Sequence, residues 1–202
     1  RQYGSGGRTI GEELAKKLGI SYYDKDIIRM ASEESGIHEE LFGRVDENVS
    51  AKQKLFAKTG IYKGELIPPQ SKDFTSDENL FNYQAKIIRE LAGKESCVII
   101  GRCADVILKD YHPLNLFIYA DMEAKVERCI RRAPEGEHLT RNEIERMIKQ
   151  VDKNRAQYRQ MYSDTKWGAK ESYHLCVNTT EKYIKEIVPG LAAYVRCWFS
   201  EE

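Results

Sequence analysis

Gly4-Ser5-Gly6-Gly7-Arg8-Thr9 places three glycines, a cation and a hydroxyl in one short run. Glycines let a backbone fold around an anion without Cβ clashes, and a helix N-terminus adds unpaired N–H groups and partial positive charge. Ile10, Leu14, Ala15 and Leu18 recur at helical spacing directly after Thr9, with Glu12 and Glu13 in the early turns and Gly19 as a stop. A glycine turn that runs into a helix suits a polyphosphate. Against the phosphate-binding pattern G-x-x-x-x-G-K-[ST], Gly7-Arg8-Thr9 supplies glycine, cation and hydroxyl, while the first glycine falls on Gln2 and arginine replaces lysine. Arginine stays charged and can grip phosphate with two N–H groups, but its fork is larger than an ammonium. An arginine in the first turn of a helix opposes the helix dipole, a misfit that a nearby anion would relieve. The alternative reading of SGG is a linker-like end, and the strand that should precede such a loop falls ahead of Arg1.

Further candidates stand where strands end and helices turn. Asp24 closes the short strand ISYYD, and Arg102 follows the buried strand CVIIG, both at carboxyl ends of strands, where ligands of open parallel sheets collect. Arg29 lies on the next helix and reads equally as an exposed surface arginine. Arg128, Arg131 and Arg132 fill the last turns of a basic helix before the break PEGEHLT, where they also complement the helix dipole. Asp152-x-x-Arg155 shares one helix face, continued by Arg159, and this is also the spacing of a surface ion pair.

The elements that position these residues follow from periodicity. Helices are expected over KDIIRMASEESG, from a Ser76 or Asp77 cap through ENLFNYQAKIIRELAG, over RCADVILKD, MEAKVERCIRRA and about Arg141–Tyr162, and through EKYIKEIVPGLAAYVRCWF with an interruption near Pro189-Gly190. Strands are expected at ISYYD, CVIIG, LNLFIYAD and YHLCVNTT. Strands alternating with helices, several of them unbroken apolar runs, predict an α/β fold with a mostly parallel sheet covered on both faces. Residues about 37–76 are polar and weakly periodic and read as a small mobile lobe of short helices and loops.

Composition narrows the classes. The 202 residues carry 32 basic and 32 acidic side chains, so no whole-chain field points to nucleic acid or an anionic membrane, and any anion site must be local. Five cysteines without a C-x-x-C pair, and four scattered histidines, argue against a disulfide frame or a transition-metal site and for reduced, mostly buried thiols. With no membrane span and no signal region in the sequence, a cytoplasmic protein is the expectation.

Three segments, RQYGSGGRTIGEELAKKLGISYYDKDII, VIIGRCADVIL and VDKNRAQYRQMYSDTKWGAKESYHLCVNTT, together resemble the cytidylate kinase-like family of nucleoside monophosphate kinases. The resemblance implies a three-layer P-loop kinase fold, a single domain with core 1–36 and 77–202, an acceptor lobe about 37–76 and a lid about 132–141. It implies ATP and Mg2+ as donor and cofactor, with Gly4, Ser5, Gly6, Gly7, Arg8 and Thr9 on the donor phosphates and Thr9 helping to hold the metal. Arg8, Arg128 and Arg132 would be catalytic. Asp24, Arg29, Arg102, Asp105, Asp152 and Arg155 would bind the acceptor, CMP or dCMP first. Standard cytidylate kinases carry an aspartate after the arginine of VIIGR, and here that position is Cys103, which Asp105 would have to compensate. Trp167-Gly168 and Asn178 resemble the segment near the donor base. A different acceptor, or a nucleotide-binding module without turnover, is the rival expectation.

Overall fold

The glycine turn and the helix it starts belong to a unit built from residues 1–20, 114–153 and 168–202; a second unit takes residues 21–113 and 154–167. The computed structural model describes residues 1–47, 65–134 and 139–200. Residues 48–64 of the expected acceptor lobe and 135–138 of the expected lid lie outside the described residues.

In the first unit, helix α1 (Gly7–Leu18) starts at Gly6 and stops at Gly19, both left-handed. Its Ile10 and Leu14 pack with Ile118 of strand β3 (Leu116–Tyr119) and with Val188, Leu191 and Ala192 of the terminal helix α8 (Ile184–Phe199). Strand β3 pairs in parallel with β4 (Leu175–Asn178), Leu116 opposite Leu175 and Tyr119 opposite Asn178. Helix α6 (Met122–Arg132) is capped by Asp121, whose carboxylate accepts from Ala124 N–H at 2.8 Å. Its Val126 meets Ile144 and Ile148 of α7 (Arg141–Tyr162), with Tyr3 alongside. The expected interruption at Pro189 does not occur: α8 runs through it. Pro189 sits early in the helix, so it removes one backbone bond, and the buried Val188, Leu191 and Ala192 hold the turn in place.

The second unit contains β1 (Ser21–Tyr23), α2 (Asp26–Ser35), α3 (Glu39–Glu47), α4 (Asp77–Lys94), β2 (Cys97–Ile99), α5 (Ala104–Ile107) and the end of α7. Strands β1 and β2 are parallel, Ser21 opposite Cys97 and Tyr23 opposite Ile99. Helix α4 buries Leu80, Phe81, Ile87, Ile88 and Leu91 in one cluster with Ile27 and Ala31 of α2, and Phe81 stacks on Tyr162 with ring centroids 3.7 Å apart. Ser76 is its cap, accepting from Asn79 N–H. The fold is α/β, and the described strands form two parallel pairs, one in each unit. Strands of three or four residues make few ladder bonds, which is why each pair relies on the helices packed against it.

Asn79 shows how the stretch ahead of α4 is held. Fully buried, its Oδ1 accepts from Ile67 N–H at 2.8 Å, and its Nδ2 donates to the carbonyls of Phe74 at 2.7 Å and Ile67 at 3.2 Å. Removing the amide would leave backbone groups of the half-buried Ile67 and Phe74 unsatisfied, so Asn79→Ala is expected to cost about 1–2 kcal/mol, read as a lowered urea midpoint.

The five cysteines are all free thiols; only Cys103 is buried, Cys97, Cys129 and Cys176 are half-buried and Cys197 is exposed, so the expectation of mostly buried thiols is corrected. Cys197 sits near the end of an amphipathic helix, whose outer face meets water. Among the described residues, no helix is long and apolar enough to cross a membrane.

Candidate active site

The glycine loop is ordered by its surroundings. Gln2 N–H donates to Ile118 O at 2.9 Å, which lays the residues ahead of Gly4 along β3, and Ser5 is fully buried. The Ser5 hydroxyl turns back to Gln2 O at 2.8 Å, while Ser5 O accepts from the Thr179 hydroxyl at 2.8 Å. Gly4 and Gly6 take φ of 73° and 80°, values glycine adopts without strain. A Cβ on Gly6 would collide with Cδ1 of Ile184 and lie 2.8 Å from its Cγ1. Gly6→Ala is therefore expected to lose at least the ~1–2 kcal/mol of a left-handed L-residue, plus the collision, seen as a lower unfolding midpoint.

Side chains cap α4 and α6, yet α1 has no side-chain cap and no acidic residue in its first turn. Its leading N–H groups and partial positive charge are thus available to an anion. Arg8 is exposed in this first turn, and Thr9 beside it accepts a hydrogen bond from Arg132 Nη2 at 3.0 Å. Two residues expected to act on phosphate and metal, Arg132 and Thr9, are therefore in direct contact.

Arg128 is placed differently. Its Nη1 donates to the Thr179 hydroxyl at 3.0 Å, and its Nη2 reaches the carbonyls of Thr179 and Lys182. Burial, then the neighbouring Arg131 and Arg132, push this guanidinium below its usual range. Thr179, fully buried, links Arg128 to Ser5 and Tyr119. Arg128 thus braces the turn after β4 against the glycine loop. Asp152 also lies in this unit, where its carboxylate accepts from Tyr3 N–H at 2.7 Å and pairs with Lys125 at 3.6 Å.

The second unit gathers most of the expected acceptor residues. Past β2 the chain takes three consecutive left-handed residues, Gly101, Arg102 and Cys103, at φ 74°, 57° and 51°. Two of these are not glycine, a local cost of the kind that marks functional turns. The turn sends the Arg102 side chain back across the strand pair: Nε donates to Asp24 O at 3.2 Å and Nη1 to Gln84 Oε1 at 2.8 Å. Asp105 is gripped by both Arg159 nitrogens, at 3.1 and 2.8 Å, and Arg159 also donates to the Thr165 hydroxyl at 2.6 Å. Arg155 is half-buried on α7. Arg29 is exposed and pairs with Glu33 one turn on, at 2.7 Å. Trp167 is half-buried and Asn178 exposed, its Oδ1 accepting from Thr180 N–H at 3.0 Å.

Sequence reasoning missed Lys125, Thr179 and Gln84. Gln84 carried a signal, since it interrupts the apolar stripe Leu80, Ile88, Leu91 of α4 with an amide. Thr179 follows directly on a strand end. Lys125 carried none: a lysine in a basic helix reads as solvated.

Among the described residues, no group of three or more His, Cys, Asp or Glu side chains could hold a metal. Mg2+ commonly keeps several waters and takes substrate phosphates with one or two protein oxygens. Thr9 at the uncapped start of α1 fits that limited role.

A family model described as cytidylate kinase-like family matches residues 1–181. Among solved structures, the chain is similar to an uncharacterized protein from Eubacterium ventriosum ATCC 27560, with 28% identity over 98% of this chain and 95% of that one and a TM-score of 0.67. No curated protein matches the chain. The family match takes in the glycine loop, the Gly101–Cys103 turn and α7 alike, and with it the chain belongs to the cytidylate kinase-like family, a membership that points to a nucleotide kinase.

Proposed function

We propose that this protein transfers the terminal phosphoryl group of Mg-ATP to a nucleoside monophosphate, CMP or dCMP first among the candidates, on a three-layer P-loop kinase fold. The observation that carries the reading is the start of α1: glycines at 4, 6 and 7, no side-chain cap, no acid in the first turn, and Arg8, Thr9 and Arg132 gathered beside it. In the reaction an acceptor phosphate oxygen attacks the γ-phosphorus, the bond from that phosphorus to the β–γ bridging oxygen breaks, and ADP leaves. The protein's share is in-line positioning and charge stabilisation.

Backbone N–H groups of the glycine loop hold the donor phosphates. Arg8 and Arg132 meet the charge that spreads over the equatorial oxygens in the transition state. Thr9 is the residue of this loop that would hold Mg2+, which would supply charge neutralisation to the donor phosphates. Arg128 acts through Thr179 by fixing the loop. On the acceptor side, Arg102 and Arg155 are the proposed phosphate and nucleotide contacts, with Asp24 supporting Arg102 through its carbonyl. The single domain, its 37–76 lobe and its 132–141 lid, and a soluble cytoplasmic setting, belong to the same proposal.

Cys103 favours a second reading with a different acceptor. It is buried at the position where standard cytidylate kinases carry an aspartate, and Asp105 is engaged by Arg159. An ADP-release assay with Mg-ATP against a panel of nucleoside monophosphates and small alcohols separates the readings. Turnover with CMP or dCMP supports the first, and turnover confined to another acceptor supports the second. ATP binding with no turnover on any acceptor overturns both in favour of a nucleotide-binding module.

A further inference from the structure

Lys125 is 4% exposed, although it lies in a helix that also carries Arg128, Arg131 and Arg132. Its Nζ donates to Gln2 Oε1 at 3.3 Å and pairs with Asp152 Oδ2 at 3.6 Å, and the two charged side chains are 5% and 13% exposed. The same Gln2 oxygen accepts from Ala120 N–H at 3.2 Å, and the other Asp152 oxygen accepts from Tyr3 N–H at 2.7 Å. A Cβ on Gly4 would lie 3.0 Å from both Cβ and the carbonyl oxygen of Lys125. The chain entering the glycine loop is thus held at Gln2 and Tyr3 by one buried ion pair, and Gly4 passes close against the Lys125 backbone.

An apolar side chain would fill the Lys125 position without desolvating an ammonium, and a buried pair gains little over such a replacement. Stability alone therefore does not account for it. Nor does the pair replace the lysine absent from the loop, because its charges cancel. What remains is geometry: a carboxylate that holds the Tyr3 amide and an ammonium that holds the Gln2 side chain fix the direction in which Gly4–Gly7 leave β3.

We infer that Asp152, together with Lys125, is a positioning residue for the donor phosphate loop and not a contact of the acceptor. The inference rests on the kinase reading. It separates Asp152 from Arg155, which the spacing D-x-x-R had placed in one acceptor site.

Two variants test it: Asp152→Asn, and the charge-balanced Lys125→Met/Asp152→Asn pair, which leaves no lone buried charge should the single change fail to fold. Three quantities are read: Mg-ATP affinity by calorimetry, KM for both substrates, and hydrogen exchange at the amides of Tyr3 to Gly6. The expected result is Mg-ATP binding weakened about tenfold or more, in line with the penalty for small misplacement of a reacting group, with faster exchange at those amides and an acceptor KM within about twofold of the unmodified protein. An acceptor KM raised tenfold with Mg-ATP affinity unchanged overturns the inference, and so does unchanged exchange with unchanged donor affinity. If the unmodified chain itself fails to bind Mg-ATP, the kinase reading falls and takes the inference with it. Normal binding by that chain with no effect in the variants removes the inference alone.

Discussion

Arg8→Ala is expected to lower the rate of phosphoryl transfer about a hundredfold to a thousandfold, the range seen when one donor to a transition-state anion is removed. Its unfolding midpoint should barely move. The contrast follows from where Arg8 sits: it is exposed in the first turn of α1, so truncation removes little packing. The guanidinium is also on the wrong end of the helix for its own stability, so its loss relieves a dipole conflict of a few tenths of a kcal/mol. Arg8→Lys keeps the charge without the two-pronged grip and should fall between the two. Steady-state ADP release beside a thermal melt checks the pair. Unchanged turnover in the alanine variant removes Arg8 from the phosphate site and returns the first-turn arginine to an ordinary surface role.

The second large effect concerns stability. Asp105→Ala removes the carboxylate that grips two nitrogens of the Arg159 guanidinium, a side chain in a residue 6% exposed. Breaking a buried pair from one side costs about 3 kcal/mol or more, and a urea titration should show a correspondingly lower midpoint. Asp105→Asn keeps one acceptor oxygen and should lose less. An Asp105 that served the acceptor directly would behave in the opposite way, with stability retained and the acceptor KM raised. The two outcomes decide whether this carboxylate compensates for Cys103 or anchors α7.

The elements were legible where one residue type forces one geometry. Gly19 ends α1, Gly36 ends α2, and Ser76, one of the two expected caps, starts α4, because left-handed turns and side-chain caps admit few other residues. Pro189 was misread, since proline breaks a helix only where its missing N–H and its ring outweigh the packing of the neighbouring turn. The candidate site was legible as a set of residue types but not as a set of contacts. Arg132 and Thr9 were named separately, and nothing in their 123-residue separation says that they touch. Arg128 reads in sequence as a twin of Arg132, yet its partners are carbonyls and a hydroxyl more than fifty residues away. Lys125 is hidden for the same reason: its burial depends on Gln2 and Asp152, which only the folded chain brings to it. Local sequence fixes propensity, whereas the partner of a long flexible cation is decided by tertiary packing.

The inward turn of the Ser5 hydroxyl has a practical consequence. With that group spent on Gln2 O, the proposed phosphate loop would offer a nucleotide main-chain amides and, at its helical end, Arg8 and Thr9. Such a surface would recognise an oxyanion and be indifferent to the sugar and base attached to it. A phosphate-mimicking inhibitor built for this loop would therefore carry over to many nucleotide-using proteins. A medicinal chemist seeking selectivity would start instead from the left-handed turn at Arg102 and the Gln84 amide it orients.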